Sequence, residues 1–129
     1  MITKNQVYAR IAQAIKAVYP SAYITGSRNP SPASFPAVWI VEADTYPDSR
    51  YINLGMTDRQ RRSMFEVQAF STKIGTATSE VDNIIAIADQ EFRQMGYRKR
   101  TETPIDDDRV QARKVARFER IIGGADSLN

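Results

Sequence analysis

The sequence predicts an α+β domain: a mostly antiparallel sheet of about five strands packed by two helices, in the order α-β-β-β-α-β-β. Residues 61–71 alternate apolar and polar side chains, the pattern of a half-buried strand. Residues 79–95 repeat apolar side chains at steps of three and four, which indicates an amphipathic helix. A strand that leads into a helix with a single apolar stripe is expected to bury that stripe on a sheet.

Size and composition fit one domain over residues 1–129. The chain is 42% hydrophobic and 26% charged, as in ordinary globular proteins. We expect long loops at about 26–36 and 44–60 and a C-terminal tail at 123–129. Apolar runs fall short of the ~20 residues of a membrane helix, and the N-terminus lacks a signal-peptide pattern. These features predict no membrane partner and a reducing cytoplasm as the place of synthesis.

The chain contains no cysteine and no histidine. Disulfides, thiolate metal sites and the commonest general base are therefore excluded. A nucleophile would have to be a serine, threonine, lysine or carboxylate activated by another carboxylate or lysine. Gly26 and Gly75 are isolated and form no phosphate loop. We expect no catalytic residues, no cofactor and no metal centre, and a carboxylate-based metal enzyme is the least favoured alternative.

The N-terminal part predicts one helix and one short strand. Thr3 and Gln6 form a capping-box pattern ahead of a helix from about Lys4 to Val18. Tyr23 and Ile24 mark the short strand. The apolar face of the helix consists of Val7, Ile11, Ala14, Ile15 and Val18.

Residues 37–43 form a continuous apolar run, which predicts a central strand covered on both faces, with Trp39 in the core. In the strand at 61–71, Glu66 and Gln68 are expected on the polar side. The apolar side of that strand consists of Phe65, Val67 and Ala69.

The second helix has start and stop signals at its ends. Thr76 or Thr78 can cap its first turn, Glu80 suits the positive end of its dipole, and Gly96 can adopt the left-handed conformation that stops it. Its apolar stripe consists of Val81, Ile84, Ile85, Ala88, Phe92 and Met95.

The C-terminal part predicts a hairpin. Residues 97–104 alternate basic and polar side chains, as in an exposed strand, and the aspartates at 106–108 form a turn. Residues 110–122 fit the period of a strand and also that of a helix, and we favour the strand because an acidic turn between alternating segments is a hairpin signal. The aspartates could also ligate a divalent cation, and a solvated turn is the favoured interpretation.

Two groups of residues are candidates for partner contacts. The connection at 44–60 is long enough to be a functional arm, and the alternative is a loop folded back on its own core. Its predicted subunit or partner interface consists of Tyr46, Tyr51, Leu54, Met56, Arg59, Arg61 and Arg62.

The second group lies on the C-terminal hairpin. Arginines that face each other on paired strands are unfavourable unless a partner neutralises them. They could contact an acidic protein or DNA phosphate, or form a solvated face balanced by Glu102 and Glu119. The net charge of +3 is weak evidence for nucleic-acid binding. The basic residues that could line a channel or face a partner are Arg98, Arg100, Arg113 and Arg117.

The order of these motifs resembles a known family. The strand at 65–70 leads into a capped helix, then Gly96-Tyr97-Arg98, an acidic turn at 104–108 and an arginine-containing strand at 110–118. In this order the chain resembles the tail terminator (tail completion) proteins of long-tailed bacteriophages. The resemblance spans nearly the whole chain except the segments at 26–36 and 44–60.

The resemblance implies a structural virion protein that forms a hexameric ring, caps the tail tube and takes part in head-tail joining during virus assembly. Its partners would be copies of itself, the tail tube protein, a head-completion or connector protein, and passing DNA bound without sequence specificity. Its location would be the tail or neck of the virion, and the host cytoplasm during assembly. The alternatives are a connector-associated neck protein and a small nucleic-acid-binding module.

Overall fold

A computed structural model describes residues 2–28, 32–47 and 61–122, and only the backbone of residues 44–47 and 61. The predicted α+β fold and element order are confirmed. No helix within the described ranges is long and apolar enough to cross a membrane. The elements are α1 (Lys4–Val18), β1 (Tyr23–Thr25), β2 (Ala37–Pro47), β3 (Arg61–Ser71), α2 (Ala77–Gln94), β4 (Arg98–Pro104) and β5 (Ala112–Ile122).

The five strands form one sheet in the order β1-β2-β3-β5-β4. β1 pairs with β2 in parallel, and the other neighbouring strands are antiparallel. The strand predicted at 37–43 lies inside the sheet, between β1 and β3, and its residues 37–40 are buried on both faces as predicted, although β3 is the middle strand. The reason is that β3 pairs along its length with two long strands, whereas β1 covers only residues 37–39 of β2.

Both helices pack on the same face of the sheet. At the start of α1, Thr3 Oγ1 accepts a hydrogen bond from the Gln6 amide, and Gln6 Oε1 accepts one from the Thr3 amide, which confirms the capping box. Thr76 occupies the N-cap position of α2, but its side chain makes no capping hydrogen bond. Gly96 has a φ of +85°, as predicted for the residue that ends this helix.

The main core lies between α2 and the two strands beneath it. The Phe92 ring stacks on Phe118 with ring centroids 4.4 Å apart, and it also contacts Phe65 and Tyr97. Every residue of the predicted stripe of α2 is buried. This contact between strand and helix therefore organises the domain.

The β2–β3 hairpin extends further than the sequence predicted. Residues 44–47 belong to β2, and the ladder continues past a bulge between Glu42 and Thr45 to the pair Pro47↔Arg61. The predicted loop at 44–60 is wrong at its start, because the bulge allows pairing to resume. Only residues 48–60 connect the two strands, and the ends of this connection are neighbours.

The C-terminal hairpin is confirmed. Residues 112–122 form strand β5, so the helical interpretation of 110–122 is wrong. Ala116, Phe118 and Ile122 point into the core beneath the helices. All seven residues of β4 are exposed, as predicted. β4 contains a bulge between Lys99 and Thr101.

Candidate functional site on the outer face of the sheet

The face of the sheet opposite α1 and α2, called the outer face below, carries a small apolar cluster. Ala37, Trp39 and Phe70 are buried there, and the Trp39 and Phe70 rings lie 4.7 Å apart. Phe35 and Val110 pack against them. The prediction that Trp39 belongs to the core is confirmed, although this core is separate from the one beneath the helices.

Next to this cluster, the outer face carries a buried carboxylate. Glu66 and Gln68 are only 4% and 7% exposed, so the prediction of a half-buried strand with a solvated polar side is wrong. Glu66 Oε2 accepts hydrogen bonds from Arg28 Nη2 at 3.0 Å and from Gln68 Nε2 at 3.0 Å. Its Oε1 accepts one from Arg117 Nη2 at 3.1 Å. Long arginine side chains, rather than a helix, cover this face of β3.

These contacts keep Glu66 ionised. Burial by itself would raise the pKa of Glu66, but the hydrogen bonds from Gln68, Arg28 and Arg117 outweigh burial and hold the pKa below its usual value. The side chains of Arg28 and Arg117 remain 53% and 52% exposed. Each arginine therefore has one side on the carboxylate and another side open to solvent.

Arg113 joins the apolar cluster to the polar strip. Its Nη2 donates to Gln68 Oε1 at 2.7 Å and its Nη1 to Asp107 Oδ2 at 3.1 Å. Its guanidinium lies 4.8 Å from the centroid of the Phe70 ring and 5.7 Å from that of Trp39. Arg113 is thus fixed by two polar partners and two aromatic rings.

Asp107, in the middle of the predicted acidic turn, is engaged by arginines. Arg109 and Arg113 both donate to its carboxylate, and the hydrogen bonds from Arg109 are the main cause that lowers the pKa of Asp107 below its usual value. Within the described residues, no group of three acidic side chains is arranged to hold a metal ion. The described residues therefore give no support for a divalent cation bound by the aspartates at 106–108.

The predicted crowding of arginines on the C-terminal hairpin is relieved by Glu119. Arg98 lies opposite Glu119 in the ladder, and Arg117 lies opposite Thr101. Glu119 forms ion pairs with Arg100 at 3.4 Å and with Arg62 at 3.7 Å. In the described register of this hairpin, arginines do not face each other directly, because Glu119 lies opposite Arg98 and Thr101 lies opposite Arg117.

The predicted interface is only partly described. Tyr46 pairs with Arg62, and Pro47 pairs with Arg61, so three of the seven predicted residues meet at the base of the 48–60 connection. The remaining four, Tyr51, Leu54, Met56 and Arg59, lie outside the described residues, as does the tail at 123–129.

The two edges of the sheet differ. β1 leaves residues 40–47 of β2 without a strand neighbour on that side, among the residues the structure describes. This open part of β2 includes Glu42 and Asp44 in its sequence. At the opposite edge, exposed β4 begins with Arg98, Lys99 and Arg100. By sequence, the open part of β2 is acidic and the start of β4 is basic.

Sequence reasoning missed Arg28, Glu66 and Gln68 as members of the site. A signal was present for Glu66, because it lies directly opposite Arg117 once β3 and β5 are aligned. For Arg28, which lies in a loop of irregular sequence, no comparable signal exists.

Comparison with known proteins assigns no family. No family model matches the chain, and no curated protein matches it. One similar solved structure, of a protein whose name states no function, is 16% identical, covers 94% of each chain and has a TM-score of 0.49. That similarity is too distant to carry an argument about function.

Proposed function

We propose that the chain is a tail terminator, a structural virion protein that forms a ring, expected to be a hexamer, at the end of the tail tube. The ring would join the tube to the head-completion proteins, with DNA passing through its centre. The order of motifs in the sequence motivates this proposal. The observation that supports it best is the pair of unlike sheet edges.

A closed ring requires a heterologous interface, in which one surface of each subunit meets a different surface of the next. Open strand edges carry unpaired backbone groups that favour such pairing. The basic edge of β4 and the acidic open part of β2 lie on opposite sides of the sheet. β4 of one subunit beside β2 of the next would continue the sheet around the ring.

The composition of β4 makes this pairing selective. The bulge between Lys99 and Thr101, the cationic side chains and Pro104 are features that suppress indiscriminate edge-to-edge association. An acidic partner edge neutralises those charges, whereas an uncharged or basic edge does not. In the free subunit, β4 is thus protected against indiscriminate association, and it can still pair with the acidic edge of a neighbouring subunit.

In this proposal the arginines of the outer face would line the channel, and those of β4 would face the neighbouring subunit. The predicted residues are Arg98, Arg100, Arg113 and Arg117. The connection at 48–60 starts from the end of the β2–β3 hairpin and would reach a neighbouring subunit or the tube protein. Phosphate contacts of this kind are independent of DNA sequence.

Sedimentation velocity and negative-stain electron microscopy test the proposal. The purified protein, alone or mixed with tail tubes, should form rings or cap tube ends. Glu42→Lys should reduce ring formation because it places a positive charge on the acidic edge. Asp108→Lys, an equal charge change at an exposed turn residue, is the control.

A protein that stays monomeric at high concentration and does not bind tubes would contradict the proposal. A label that locates the protein on the portal side, away from the tube, would favour the alternative of a connector-associated neck protein.

A further inference from the structure

A polar cleft lies where β5 extends past the start of β4. Its volume is about 370 Å³, within the range of ~300–1,000 Å³ that is usual for small-molecule sites. It lies near the turn that follows α2. The described residues that line it are Arg62, Gly96, Arg98, Arg100, Glu119, Arg120 and Ile121.

The cleft carries a concentrated positive charge. Four guanidinium groups and one carboxylate line it, a surplus of three positive charges among the described lining residues. Ile121 supplies the one large apolar side chain of this lining. Most ligand sites are lined predominantly by apolar side chains, so this lining favours a small, highly charged anion.

Glu119 holds two of the arginines from one side. Its side chain is only 15% exposed and forms ion pairs with Arg62 and Arg100. A largely buried carboxylate shared by two arginines restricts their rotamers without neutralising both charges. Arg98, directly opposite Glu119 in the ladder, is exposed and makes no ion pair with any other described residue.

The turn after α2 holds the fourth arginine. Arg120 Nη1 donates a hydrogen bond to the Met95 carbonyl. The guanidinium lies so close to Gly96 that a Cβ at that position would be 3.1 Å from Arg120 Nη1. Gly96 thus serves two purposes: it adopts the positive φ that ends α2, and it leaves space for the arginine. Three of the four guanidiniums are therefore positioned before any ligand arrives.

We propose that this cleft binds phosphate groups. The planar fork of an arginine matches the oxygens of phosphate, and fixed arginines lose little freedom when they bind it. A surplus of three positive charges fits a ligand with more than one negative charge. That ligand is either a small compound with linked phosphates or successive phosphates of a nucleic-acid backbone.

The described lining residues all belong to one chain, so the cleft requires no ring. In the proposed ring, the acidic edge of a neighbouring subunit would neutralise Arg98 and Arg100, so the free subunit is the form to test. Binding by a monomer would support the cleft even if the ring proposal failed, and a ring-forming protein whose free subunit binds no phosphate would contradict the cleft alone.

The test titrates the protein at low salt with inorganic pyrophosphate and, separately, with a short DNA duplex. The double variant Arg98→Ala/Arg100→Ala should weaken the affinity for at least one of them by about tenfold or more, because it removes charge-assisted hydrogen bonds. Arg109→Ala removes an exposed arginine near the opposite end of β5 and should change affinity less than about twofold. Thermal melting checks that both variants fold.

The two ligands identify the source of the phosphate. Binding of pyrophosphate that depends on Arg98 and Arg100 supports a cleft for compact phosphates. Binding of DNA alone, with the same dependence on Arg98 and Arg100, assigns the cleft to a nucleic-acid backbone. The slope of log K against log salt concentration should then be shallower in the double variant, by roughly 0.9 for each phosphate contact that is lost. Equal weakening by Arg109→Ala, or no binding of either ligand by the wild type, would overturn the proposal.

Discussion

The two faces of strand β3 are buried in different ways. On the helix side, Phe65 and Val67 pack beneath the helices among aromatic and aliphatic side chains. On the outer side, Glu66 and Gln68 are buried nearly as completely, but by arginines and by each other. The same strand therefore combines an apolar core with an ion-paired surface.

This difference indicates a division of roles. Apolar burial beneath the helices stabilises the fold in proportion to the area removed from water. The ion pairs of the outer face contribute less, because the arginines are half exposed and solvent screens part of the interaction. On the outer face, Glu66 and Gln68 instead hold guanidinium groups in defined positions, as the proposed contacts with anions or subunits require.

The largest expected effect is on the helix side. Phe92→Ala should lower the free energy of unfolding by about 3–5 kcal/mol, because Phe92 is fully buried and its loss leaves a cavity. Urea denaturation measures the change. Arg93→Ala, at the neighbouring exposed position, should change stability by less than about 0.5 kcal/mol. Equal effects of both variants would show that α2 does not anchor the core.

On the outer face, Glu66→Gln should cost about 1–3 kcal/mol, because charge-assisted hydrogen bonds from Arg28 and Arg117 are weakened. The loss should be smaller than for Phe92→Ala, since both arginines can turn to water. Urea denaturation at neutral pH measures it. A loss as large as that of Phe92→Ala would contradict the contrast between the two faces.

Acid should remove part of that stabilisation. The pKa of Glu66 is lower in the folded protein than its ordinary value of 4.5, so ionised Glu66 stabilises the fold fully above pH 4.5 and this contribution is lost as pH falls through the lower folded value. The stability difference between wild type and Glu66→Gln should therefore be constant above pH 4.5 and shrink below it. A difference that is independent of pH would show that Glu66 is not held ionised by its partners.

The smallest expected effect is that of Arg113→Lys, about 1 kcal/mol. Lysine keeps the charge but loses the fork that contacts Gln68 and Asp107, and the stacking on Phe70. Melting temperatures compare this variant with Lys73→Arg, an exposed control. An unchanged stability would mean that the apolar cluster alone holds this part of the outer face.

Much of the fold could be predicted from local patterns. The stripe of α2, the capping box at Thr3 and the alternation of β5 each follow from the geometry of a single element. The left-handed conformation at Gly96 follows in the same way. Such features depend only on residues that are close together in the chain, so local sequence patterns are enough to predict them.

The contacts of the outer face depend on distant residues and could not be predicted. The burial of Glu66 requires Arg28 and Arg117, which come from a loop and from another strand. The pairing of Arg100 with Glu119 requires the register of β4 on β5, which a bulge shifts. The alternating pattern alone therefore predicts that Glu66 and Gln68 face solvent, whereas both are buried.

The pairing of Pro47 with Arg61 has a consequence for variation in this protein. Because the sheet is already joined there, residues can be added to or removed from the 48–60 connection at little cost; doubling the length of a flexible loop costs only about 0.6 kcal/mol. Changes of length in this segment should therefore leave the folding of the scaffold beneath it unaltered.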